Sequence, residues 1–162
     1  MENIDNHSES LFNGHIETAL RAIIILEAFY PDSLDLESIS LLDYFSVHTG
    51  DINGPPSLHP AVSSRVGEYR VRRRTIQDGL SILIRRNLAT VIEDKDGIRF
   101  IAADDAPAFI KLLTTQYNST LKDRANWLAS QERHRADLFL ELRNYITTHT
   151  INIQFDEGFQ IA

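Results

Sequence analysis

The stretch "VGEYRVRRRTIQDGLSILIRRN", residues 66–87, decides how this chain is read. Ile76, Leu80, Leu83 and Ile84 recur at helical spacing and make one apolar stripe. At ~100° per residue, Arg70, Arg74, Gln77, Ser81 and Arg85 fall together on the opposite face. An amphipathic helix with a basic outer side is predicted. Next come "LATVIED", "KDG" and "IRFIAA", two β-rich runs flanking Asp96-Gly97, which is the pattern of a tight hairpin.

Two more helices are predicted upstream. "GHIETALRAIIILEAFYP" carries Ile16, Leu20, Ile23, Ile24 and Leu26 in helical phase, and Pro31 stops it. "DSLDLESISLLDYFSVH" restarts with Ser33 or Asp35 as cap and keeps phase through Leu36, Ile39, Leu42 and Val47. Gly50 lies just beyond its end and is expected to close it with a positive φ. Downstream, Asp104 or Asp105 caps a long helix over about residues 106–130, with Pro107 in its first turn. It carries Phe109, Leu112, Leu113, Tyr117, Leu121 and Trp127. A further helix spans about residues 135–148, with Leu138, Phe139, Leu142 and Ile146. The end alternates Ile151, Ile153 and Phe155 with polar residues, as a strand or a partner-bound tail would.

The order helix, helix, loop, basic helix, hairpin is that of a winged helix-turn-helix. The expected fold is mainly α with a small β-hairpin (α+β), followed by a C-terminal helical extension. The divisions are a flexible arm over 1–13, the winged domain over 14–104, C-terminal helices over 105–150 and a tail over 151–162. The loop between the second and third helices, about 16 residues, is far longer than the usual turn of ~3–4.

Composition narrows the function. At 162 residues and 43% hydrophobic, the chain is long and apolar enough for a packed core. It has no cysteine, which removes thiolate metal sites and disulfides and fits a reducing, cytoplasmic setting. The acidic "MENIDNHSES" has no secretory pattern, and the longest apolar run, "AIIIL", is too short to span a bilayer. Residues 65–86 hold seven arginines against Glu68 and Asp78, a local +5. The net charge of −7 then leaves −12 on the rest. A basic stripe on an acidic body marks a face for an anionic partner, either DNA phosphates or an acidic protein surface. Arg70, Arg72, Arg73, Arg74, Gln77 and Arg85 are its candidate residues.

Enzymatic motifs fail on spacing. Glu93-Asp94-Lys95 matches half of a restriction-like nuclease motif but borders a two-residue turn, where charged residues are common. His48, Asp51 and His59 match no zinc signature. Gly50 and Gly54 have no Gly-Lys-Ser/Thr for a phosphate loop, and no G-x-S-x-G occurs. No catalytic residue, metal or cofactor is therefore expected. In "TGDINGPPSLHP", residues 49–60, the glycines and prolines instead stiffen a connector.

Two runs, "DYFSVHTGDINGPPSLHP" (43–60) and "RVRRRTIQDGL" (70–80), together with "DKDGIRFIAADDAPAF" (94–109), resemble the middle component of ABC three-component systems. That family includes the small accessory subunit of Lamassu-type anti-phage defence. The resemblance covers about residues 17–127. It implies a winged-helix subunit without enzymatic activity, working beside an SMC-like coiled-coil ATPase and an effector nuclease against phage or plasmid DNA. On that reading His48, Asp51, Asn53, Pro55, Pro56 and His59 form a docking loop for a protein partner, and DNA is met through the complex. No membrane or small-molecule substrate is implied. The competing expectation is a stand-alone winged-helix transcriptional regulator, which would dimerise and read a palindrome.

Overall fold

The computed structural model describes the backbone of residues 14–158 and the side chains of residues 14–148. The expected arm over 1–13 and the last four residues of the expected tail lie outside the described residues. Helix α1 is His15–Phe29, α2 is Leu36–Val47 and α3 is Arg65–Arg85, with strand β1, Leu34–Asp35, between the first two. Strands β2, Ala89–Asp94, and β3, Gly97–Ala102, form the hairpin, and α4, Ala106–Lys111, α5, Gln116–His134, and α6, Leu138–Gly158, follow. The molecule is mainly helical with a three-stranded antiparallel sheet of order β1-β3-β2. Its register pairs Leu34 with Phe100 and Ala89 with Ala102.

Helix α1 is the centre of the core. Ala22, Ile23, Ile25 and Leu26 are fully buried, because α3, α5 and α2 pack around it. The closest approach is at Gly79, where a Cβ would come within 3.0 Å of the Ala19 backbone nitrogen. A side chain there would push α3 off α1. Helix α2 starts where Asp35 accepts a hydrogen bond from the Ser38 backbone N–H at 2.7 Å. Ser64 caps α3 through the Gly67 N–H.

Three expectations are corrected. The long helix over 106–130 is two helices, because Thr115 takes up an N-cap position and accepts from the Asn118 N–H at 3.1 Å. Gly50 does not close α2; it lies in a 3-10 turn, Thr49–Ile52, and the left-handed residue is Asn53 at φ 58°. The terminal alternation is not a strand, since α6 continues through Gly158. Leu121, Ala125 and Leu128 of α5 and Leu138 and Leu142 of α6 join the same buried core as α1.

Candidate functional site

The long loop over 49–64 closes on itself and on its neighbours. The Thr49 hydroxyl donates to the Pro55 carbonyl at 2.7 Å, and the Leu58 and His59 N–H groups both reach the Val47 carbonyl at 3.0 Å. Arg124 of α5 donates twice to the Pro56 carbonyl, at 3.1 and 3.2 Å. Gly54 lies against Trp127, whose ring would be 2.5 Å from any Cβ there. The prolines and glycines thus shape a connector anchored on α5. Asn53 and Pro56 are the members of the expected docking set exposed on its outer side.

Of the four polar members of that set, His48, Asp51 and His59 point inward. Asp51 Oδ2 accepts from the Tyr44 hydroxyl at 2.8 Å and from Arg65 Nε at 3.1 Å. His48, buried beneath the loop, is 3.0 Å from both carboxylate oxygens of Glu68. His59 Nδ1 is 3.2 Å from Arg72 and its Nε2 is 2.7 Å from the Tyr117 hydroxyl. A guanidinium only donates, so Nδ1 is the accepting nitrogen and Nε2 carries the proton that reaches Tyr117.

Behind the loop lies a chain of buried charges. Arg21 Nε donates to Asp43 Oδ1 at 2.7 Å and Arg72 Nη1 to Asp43 Oδ2 at 2.9 Å. Arg72 Nε also donates to Glu68 Oε1 at 2.9 Å. Arg72 is 0% exposed, so its expected place in the anionic-partner surface is corrected: it is, with Arg21, an internal cation of the fold. The reason is phase. Position 72 is one turn from both Tyr69 and Ile76, which are themselves buried. Burial alone would raise the Asp43 carboxyl, but the charges and hydrogen bonds of Arg21 and Arg72 outweigh it and hold it below its usual range. Glu68 is likewise lowered: the His48 hydrogen bond and Arg72 overcome its burial. Sequence reasoning missed Arg21, Asp43, Glu68 and Tyr117. The available signal was a charged residue inside an apolar run, as in "ALRAIIIL" and "LLDYF".

Among the described residues, His48, His59 and Glu68 place donor atoms within 4.8 Å of one another, close enough to share a metal ion. Two of the three are already bonded to the Arg72 guanidinium. A metal ion would face that cation at contact distance in a buried site, and opposition of like charges there is costly. The cation that Glu68 and His59 share is Arg72.

Acid should undo this arrangement. Burial, followed by the positive charges of Arg72 and Arg21, pushes the His59 pKa down to about 4. Unfolded histidine titrates near ~6.5. Between those values the unfolded chain binds more protons, so stability is complete above about pH 6.5 and falls as pH drops toward 4. His59 is only partly buried, so we expect a loss of ~2 kcal/mol after discounting for solvent. Urea denaturation at pH 7 and pH 5 checks it. His59→Gln should flatten the difference; an unchanged slope would rule His59 out as its source.

The remaining arginines divide cleanly. Arg65 pairs with Asp51, whereas Arg70, Arg73, Arg74 and Gln77 are exposed and line one surface depression of about 300 Å³ beside Leu36. Arg85 is exposed farther along the same helix, its Nε 3.3 Å from the Ser81 carbonyl. Glu93, Asp94 and Lys95 stand at the exposed hairpin tip, where Asp94 Oδ1 accepts from the Asp96 N–H. Among the described residues they join no group of metal-binding geometry.

The ABC-three component system Middle Component 2 family model matches residues 11–155, nearly the whole chain. The chain belongs to this family. The middle component is thus one part of a multi-component system, as the runs at 43–60 and 70–80 imply, and proteins are its expected company. No curated protein and no solved structure matches it. Among the described residues, no helix is long and apolar enough to cross a membrane.

Proposed function

We propose that this middle component is a non-catalytic, cytoplasmic accessory subunit of an SMC-like ATPase complex of the Lamassu type. It bridges the ATPase and an effector nuclease in defence against phage or plasmid DNA. The observation that carries the reading is the family match over residues 11–155. The element order helix, strand, helix, helix, strand, strand, with sheet order β1-β3-β2, supports a winged helix-turn-helix in which α3 is the recognition helix and β2–β3 the wing. The exposed arginines of α3 offer an anionic partner a landing face, and the outer side of the loop around Asn53 and Pro56 offers a rigid protein contact.

The test is co-expression of the tagged chain with the reading frames that flank it. A coiled-coil ATPase should co-purify with the wild type. Pro56→Arg keeps the carbonyl that Arg124 holds and should lower ATPase recovery about tenfold while the variant stays folded. Recovery at wild-type yield would remove the loop from the interface, and purification of the chain alone would contradict the reading. The same exposed face of α3 supports the second reading, a stand-alone regulator, which requires nanomolar, sequence-selective DNA binding at ~150 mM salt.

A further inference from the structure

We propose that the outer face of α3 binds the phosphate backbone of duplex nucleic acid without reading its sequence. The inference rests on the accessory-subunit reading, in which α3 faces outward, and names the partner of that face. Arg70, Arg73, Arg74 and Gln77 occupy positions i, i+3, i+4 and i+7 of one helix and share one depression. Arg85 extends the stripe, which from Arg70 to Arg85 runs ~22 Å at ~1.5 Å per residue, and Arg86 is exposed at the C-cap. Four exposed arginines thus stand on this helix against one outward acid, Asp78, which is 3.4 Å from His15. Glu68 is turned inward to Arg72, and Glu37, beside Leu36, is paired with Arg143 at 2.8 Å.

The chemistry favours phosphate over an acidic protein. Protein interfaces centre on aromatic or apolar anchors. This stripe has no aromatic side chain, and Leu36 and Val71 are its apolar neighbours. Guanidinium forks match phosphate oxygens two at a time. Duplex DNA presents one charge per ~1.7 Å of axis, so the stripe's length spans more phosphates than it has arginines. The hairpin tip limits the mode. Glu93, Asp94 and Asp96 against Lys95 repel a second backbone there, which confines contact to α3 and leaves Gln77 as the one amide able to meet a base edge. Four arginine contacts predict a log–log salt slope near ~−3.6, with little sequence preference.

Fluorescence anisotropy of the full chain with a fluorescein-labelled mixed-sequence 24-base-pair duplex, titrated from 25 to 200 mM NaCl, tests this. The wild type should show the steep slope and bind two unrelated duplexes within about threefold. Arg70→Ala with Arg74→Ala should weaken binding at least tenfold at 50 mM and reduce the slope by ~2, while Lys95→Ala changes neither. No binding at 25 mM, or a slope the double variant leaves intact, overturns the proposal. ATPase co-purification of the same double variant separates the two claims. Complex retained with duplex binding lost supports phosphate contact. Complex lost with duplex binding intact assigns the stripe to a protein and overturns it, leaving the accessory reading standing.

Discussion

Asp43→Ala is expected to remove ~3–5 kcal/mol of folding stability, a large part of the ~5–15 kcal/mol that a folded domain possesses. The carboxylate is fully buried and holds Arg21 through one oxygen and Arg72 through the other. Arg21, Arg72, Asp43 and Glu68 together are neutral. Deleting Asp43 leaves a net positive charge in the core with no solvent to screen it. The cost comes from the orphaned cation and not from the small void. Removing the cation as well, in Arg21→Met/Asp43→Ala, restores neutrality with the Arg72–Glu68 pair and should recover at least half of the loss. Urea denaturation of the two variants decides this. A single variant within ~1 kcal/mol of wild type, or a double variant worse than the single, would refute the charge argument.

Arg72→Ala should cost a similar ~3–5 kcal/mol, with a second signature. Arg72 reaches Asp43 in the core, Glu68 on its own helix and His59 in the loop. Its loss therefore leaves the buried group one positive charge short, with Asp43 held by Arg21 alone, and also removes the hydrogen bond to His59 Nδ1, one of the contacts that hold residues 49–64 to the body. Hydrogen exchange should accelerate most at the Leu58 and His59 amides, which bond to the Val47 carbonyl. Uniform acceleration across α1 and α3, with none concentrated in the loop, would mean that Arg72 supports the core alone.

The outward half of α3 was legible in the sequence because a 100° rotation per residue sorts side chains without knowledge of any neighbour. Arg70, Arg74, Gln77 and Arg85 emerge where that rotation puts them. The same rotation puts Arg72 in phase with Tyr69 and Ile76, yet its partners Asp43 and His59 lie 29 and 13 residues away. Such pairings are created by the fold, and local spacing carries no trace of them. His48 and His59 read as surface candidates for the same reason: what fills their valences is Glu68, Arg72 and Tyr117, each from another element. Strand β1 escaped notice because two residues are too few for any period. The break between α4 and α5 escaped because Thr115 caps a helix in the middle of an apolar pattern that continues across it.

Arginines of a single helix, two positions apart, serve opposite ends: Arg72 holds the core and Arg74 faces outward. Urea denaturation of Arg72→Ala and Arg74→Ala, run side by side at pH 7, tests it most directly. Arg72→Ala should lose ~3–5 kcal/mol, and Arg74→Ala, exposed and without a carboxylate partner among the described residues, should stay within ~0.5 kcal/mol of wild type. Equal losses in the two variants, or a loss confined to Arg74→Ala, would contradict it.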